Sequence, residues 1–276
     1  MGRLSAHGVE TSSGFQYVVP RASERGARGA YLFVGLACFI TWQLSAPVAF
    51  VIWSGETPPT LVMAFAGLAA FGPTLAALAI GSARRELPEI FGRWRTSMKW
   101  VVLGLLAMPL LHLPATLLEV ALGGAPAQWF YPPVKPEHIA ALVLFSIGEE
   151  FGWRGFAHPR LAERHGCVLA AVSVGLAWSA WHYFMWFTPD GPPAASALAL
   201  NTAHMVLASI VIAWLFETSG RSMAVAIALH ASGHLDNVFR TPASELRLTL
   251  LRLLVLAAAA LFAARALNRR TRAALL

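Results

Sequence analysis

Seven residues combine types and spacings that can do chemistry. Glu149, Glu150 and Arg154 lie close together in the chain, His182 and His204 stand apart, and His230 and His234 are four residues apart. On a helix, residues four apart share a face, so His230 and His234 project together and Glu150 can pair with Arg154. Glu149 then sits about 100° round the helix and needs a partner elsewhere. A carboxylate to take a proton from water, histidines to orient that water and donors to steady an oxyanion are the parts required for water to attack a carbonyl. No serine or cysteine nucleophile is needed. His204, with Asn201 one turn before it, reads as a packing or hydrogen-bonding residue.

The elements that must hold these groups are apolar. Of 276 residues, 57% are hydrophobic and 13% charged, more apolar surface than one soluble core can hide. The runs 29–55, 57–83, 166–189 and 191–216 contain no acid, lysine or arginine. A spanning helix takes about 20 such residues, so the chain is an all-α, polytopic membrane bundle of about eight helices. A soluble enzyme, a collagen and a disordered tail are excluded. The net charge of +7 does not point to nucleic acid, because the basic residues sit in loops between apolar runs. Cys38 and Cys167 lie in or beside apolar segments without metal-binding or disulfide spacing. Residues 1–29 hold no apolar stretch of the signal-peptide kind, and Ala6 breaks the pattern that Met1-Gly2 would need for myristoylation.

Breaks at charged and Pro/Gly-rich stretches place spans at 30–53, 61–81, 99–122, 138–157, 167–187, 194–217, 222–239 and 245–266. Pro47, Pro73, Pro109 and Pro114 kink the first three. Asp236 and Arg252 intrude on the last two, and Arg252 is near enough to an end to snorkel. Alternate sides of this arrangement carry 16 and 3 Lys and Arg residues, which puts both termini in the cytoplasm, in a bacterial cytoplasmic membrane. The organisation expected is a cytoplasmic N-terminal tail (1–29), one membrane-embedded domain (30–266) and a basic cytoplasmic tail (267–276). His112, Glu119, His138 and His165 fall near span ends and read as interfacial. Trp42, Trp53, Trp100, Trp129, Trp186 and Trp214 read as belt anchors or packing.

Placing Glu149, Glu150 and Arg154 inside a span costs roughly 7 to 10 kcal/mol on insertion scales, and the apolar residues of that span return only roughly 2 to 5. Partners on other helices are therefore required. Glu149, His182 and His230 come out at similar depths, about 8 to 18 Å from the outer boundary at 1.5 Å per residue. Gly148, Gly152 and Gly155 would let neighbouring helices approach the acids closely.

These residues fall in motifs that resemble the CAAX prenyl protease and bacteriocin-processing (CPBP, Abi) intramembrane proteases. GEEFGWRGF is similar to the family's EExxxR at Glu149, Glu150 and Arg154, WSAWH to its FxxxH ending in His182, and LHASGH to its HxxxN at His230. FGPTLAA, from Phe71, is similar to its second-span pattern, so the resemblance covers roughly 71–239. It implies that Glu149 and His182 activate water, that His230 and residue 234 stabilise the oxyanion, and that Glu150 with Arg154 supports the site. The chain departs from the pattern twice, with Trp178 for phenylalanine and His234 for asparagine. A neutral histidine still donates one hydrogen bond. Glu149 with His182, His230 and His234 is also a set that would suit zinc, so a zinc-water and a metal-free glutamate mechanism both stay open.

The function expected is that of an intramembrane endopeptidase, a hydrolase that cuts a peptide or membrane-tethered protein near a terminus. The alternatives are a proton-coupled transporter or ion pathway using the same groups as a relay, and a catalytically silent scaffold or bacteriocin-immunity protein.

Overall fold

The computed structural model describes residues 24–84, 86–132, 136–183, 194–236 and 241–273. The chain before residue 24, Trp186 and the expected span ends at 187 and 239 lie outside them. The described residues form helices joined by turns, with no strand: α1 (Glu24–Trp53), α2 (Thr60–Ala69), α3 (Gly72–Arg84), α4 (Leu87–Phe91), α5 (Met98–Ala121), α6 (Pro136–Glu150), a π-helical segment (Phe151–Ala157), α7 (His158–His165), α8 (Cys167–His182), α9 (Ala195–Thr218), α10 (Met223–Leu235) and α11 (Leu246–Ala273).

Among the described residues, four helices are long and apolar enough to cross a membrane: residues 28–53 of α1, then α5, α9 and most of α11. Stretches of α3, α8 and α10 are apolar but shorter. Large apolar side chains on the long helices face outward, Phe50 at 75% and Leu254 at 62% exposure, as lipid-facing surface does.

Three departures from the sequence expectation have local causes. The second span is broken into α2 and α3, because Pro73 sits at the start of a helix, where its missing N–H costs nothing. The fourth span does not end at 157: α6 widens into the π-helical segment and continues as α7. The last helix runs on to Ala273, so Arg269 and Arg270 are helical.

Gly148, Gly152 and Gly155 share one face, and that face is pressed onto the 70–90 region. A Cβ at Gly152 would stand 2.5–2.6 Å from Pro73, and one at Gly155 2.9 Å from the Ile90 carbonyl oxygen. The Thr74 hydroxyl donates to the Gly148 carbonyl at 2.6 Å. The close approach expected of these glycines is thus present, with α3 and α4 as the partners. On the opposite side Trp153 and Phe156, both fully buried, pack against Phe33 of α1 with ring centroids 5.3 Å apart in each pair. The segment carrying Arg154 is clamped from two directions.

Gly152→Ala is expected to destabilise the fold by about 1–3 kcal/mol, the usual cost of overpacking a tight contact. Gly35→Ala, which meets nothing within 4 Å, should be neutral or slightly stabilising. Unfolding of the two variants in detergent compares them directly.

Candidate active site

The site is built where α6, its π-helical extension, α8 and α10 meet. Glu150 and Arg154 are fully buried and bonded: Arg154 Nη1 donates to Glu150 Oε1 at 2.7 Å. Arg154 Nη2 reaches Ser209 of α9 at 3.2 Å, and the Ser209 hydroxyl donates to the Ala171 carbonyl at 2.8 Å. The within-helix pair expected from the spacing is therefore present, and two more helices support it.

The oxygen of Glu150 that holds Arg154 also lies 2.8 Å from His230 Nδ1. A carboxylate paired with arginine can only accept, so Nδ1 carries the proton and donates. In a neutral ring this leaves a lone pair on Nε2. That atom faces Glu149, with 4.0 Å between Nε2 and Oε1. The gap is too long for a hydrogen bond and suits one bridging water. The other oxygen of Glu149, Oε2, accepts a 2.6 Å hydrogen bond from the Trp178 indole.

Trp178 is the residue whose part was missed in the sequence, where it read as an aromatic exchange for phenylalanine. Its N–H fixes Glu149, its ring lies 5.2 Å from the Arg154 guanidinium carbon and 5.0 Å from the His230 ring, and its carbonyl holds His182 Nδ1 at 2.8 Å. A phenylalanine would keep an aromatic face there and lose the donor. The signal was available, since an indole beside a buried acid is a hydrogen-bond donor with few other uses.

A cavity of about 60 Å³, room for a few water molecules, is lined by Trp178, His182, His204, His230 and His234, with Met108 of α5 among the apolar walls. The His230 and His234 rings stack with centroids 5.1 Å apart. His204, read as a packing residue, lines the cavity. Two other expectations are corrected. His112 is not interfacial but 1% exposed, bonded to Asp236, and Arg252 does not snorkel but is fully buried. Glu119 does lie near a span end, held by Arg247 at 2.7 and 2.8 Å.

Residues 135–235 match the family model described as type II CAAX prenyl endopeptidase Rce1-like. Across 154 residues the chain is 25% identical to CAAX prenyl protease 2 of Methanococcus maripaludis, covering 51% of this chain and 57% of that protein. The comparisons bear out the resemblance to the CAAX protease family. The chain spans little more than half the length of that curated relative, and the family-model match contains Glu149, Glu150, Arg154, His182, His230 and His234.

The candidate zinc ligands do not gather into a compact donor set. Glu149 Oε2 is bonded to Trp178, His230 Nδ1 to Glu150 and His182 Nδ1 to a backbone carbonyl, which leaves Glu149 Oε1 and both Nε2 atoms open, the usual way ligating histidines are held; it is their spacing that does not gather them. Among the described residues, the three whose ligand atoms lie within 4.8 Å of one another are His158, Cys167 and Glu217. Glu217 is 13 residues from His204 on α9, about 20 Å along the helix, and Arg221 already grips its carboxylate at 3.0 and 3.1 Å. As placed, the active-site candidates are not gathered within 4.8 Å of one another, and the Glu217 group already has Arg221 on its carboxylate.

Arg154→Ala would leave Glu150 buried without its countercharge, and is expected to cost about 3–5 kcal/mol. Adding Glu150→Gln to that variant should recover part of the loss, which equilibrium unfolding of the single and double variants measures.

Proposed function

We propose that the chain is an intramembrane endopeptidase in which Glu149 and His230 act on one water molecule. The observation that carries this reading is the 4.0 Å separation of His230 Nε2 and Glu149 Oε1, with His230 also lining the histidine-rich cavity. A water there can donate one proton to Glu149 and place its oxygen toward a peptide carbonyl. With Nδ1–H committed to Glu150, His230 Nε2 accepts a proton and donates only once the ring is doubly protonated. Its part in this reading is therefore to receive and return a proton, beyond the oxyanion role that the resemblance implies. His182, whose Nδ1–H is held by the Trp178 carbonyl, offers its Nε2 as a second acceptor beside the water. His234, whose ring stacks on that of His230, stands as the donor to the developing oxyanion. Glu150, Arg154 and Trp178 hold the reacting groups in place.

The substrate class in this reading is a peptide or membrane-tethered protein. An open, mostly apolar hollow of about 570 Å³ lies between α8 and α9, lined by Tyr183, Ala203 and Val206 among others. Tyr183 and Ala203 adjoin His182 and His204 in sequence, so a lipid-embedded chain could reach the cavity from that side. The curated relative's description as a CAAX prenyl protease supports peptide-bond hydrolysis as the reaction.

Wild-type protein in proteoliposomes is expected to cleave a member of a panel of membrane-tethered peptides. Glu149→Gln should lower the rate at least about a hundredfold, the scale of a lost general base, with circular dichroism unchanged. Equal rates for the two proteins, or no cleavage by the wild type where a family relative cuts the same panel, would overturn the reading.

A further inference from the structure

Asp236 follows α10 directly, one residue beyond the family-model match, and read in the sequence as a flaw in an apolar span. It is 1% exposed and engaged on both oxygens. His112 Nδ1 of α5 lies 2.9 Å from Oδ2, the Tyr131 backbone N–H donates to Oδ1 at 2.7 Å, and Arg252 Nη1 of α11 stands 3.8 Å from Oδ1. Arg252, fully buried, also donates to Thr241 at 3.2 Å and to the Trp129 carbonyl at 3.1 Å, and its guanidinium carbon lies 5.1 Å from the Tyr131 ring.

The surroundings strengthen this junction. Glu245, just before α11, accepts from the Ala127 N–H at 2.9 Å and the Tyr131 hydroxyl at 2.7 Å. Burial and the Glu245 carboxylate push the Tyr131 phenol up to about 12, so it remains a donor at any working pH. Three parts of the chain, α5, the 122–132 connection and α11, thus converge on one carboxylate at the end of α10. His234 is two residues before Asp236 and His230 six before, and helical rigidity carries the position of that end to both rings. A second tie fixes the same pair of helices, since the Met108 N–H reaches Ser232 Oγ at 3.3 Å.

We infer that Asp236 is a positioning residue: by binding His112, the Tyr131 amide and Arg252 it sets the placement of His230 and His234 in the cavity. The inference rests on the peptidase reading for its kinetic consequence, not for its structural one. The observation that distinguishes it from a general brace is that the three ties meet at α10's catalytic end, where a displacement of about 1 Å can cost about a hundredfold in rate.

The test uses full-length protein in detergent and proteoliposomes. Asp236→Asn is expected to lower kcat about ten- to hundredfold with KM within about threefold, and to shift the imidazole resonances of His230 and His234 in 15N-histidine spectra. His112→Asn, whose amide nitrogen reproduces the Nδ1 donor, should keep kcat within about threefold of wild type, whereas His112→Ala should fall with Asp236→Asn. Folded Asp236→Asn protein with wild-type kcat and unmoved resonances would overturn the inference, as would His112→Asn and His112→Ala being equally damaged. Should Asp236→Asn not fold, the two His112 variants decide. If the wild type cleaves nothing, the peptidase reading fails and the resonances alone judge the role of Asp236.

Discussion

The structure depends on one constraint: a glutamate and an arginine buried together among apolar helices must hold each other and draw further partners from neighbouring helices. Arg154 and Glu150 are both at 0% exposure, and the cost of burying an ion pair in such a place is offset by its mutual attraction together with hydrogen bonds from its surroundings. Ser209 of α9 and His230 of α10 supply two such bonds at 3.2 and 2.8 Å, while among the described residues Glu150 Oε2 and Arg154 Nε have no hydrogen-bond partner. Two further helices are thereby tied to the π-helical segment. Satisfying the pair also settles the tautomer of His230, which turns an acceptor nitrogen toward Glu149. The stability requirement and the chemistry are met by the same bonds.

The close packing that makes this arrangement hold comes from residues without chemistry of their own. Glycines at 148, 152 and 155 let the acid-bearing helix lie against Pro73 and Ile90, and Phe33 fills the other side against Trp153 and Phe156. The widened helical turn at Phe151–Ala157 belongs to the same design, since π-helical turns are uncommon and concentrate at functional sites. Arg154 is carried on that turn and still closes onto Glu150 one turn back.

Much of this was legible in the sequence. Apolar runs longer than 20 residues gave a helical membrane bundle, and the spacing of Glu150 and Arg154 gave their pairing. The excess insertion cost required partners on other helices, and His230 is one of them. The break between α2 and α3 followed from Pro73, although a continuous span was expected, because hydropathy averages over a kink. What stayed hidden depended on which face of each helix turned inward. Trp178 looked like an aromatic substitution until its indole N–H met Glu149. His112, Asp236 and Arg252 looked like an interfacial residue, an intrusion and a snorkelling arginine, since a charge near a span end is ordinarily solvated. Much of this burial comes from partners over 100 residues away, Asp236 with His112 and Tyr131 and Arg252 with Trp129, which no local pattern reveals. The zinc alternative likewise turned on placement, and the candidate ligand atoms do not lie within 4.8 Å of one another.

The central claim is that Glu149 and His230 act as one unit on one water. A double-variant cycle in kcat/KM tests it most directly, using Glu149→Asp, which withdraws the carboxylate, and His230→Asn, which keeps a donor to Glu150 but removes Nε2. Each single change should lower kcat/KM, and the double variant should fall no more than about threefold below the worse single, as happens for residues that share a step. Losses that multiply would mean that the two groups act independently, and would contradict the account.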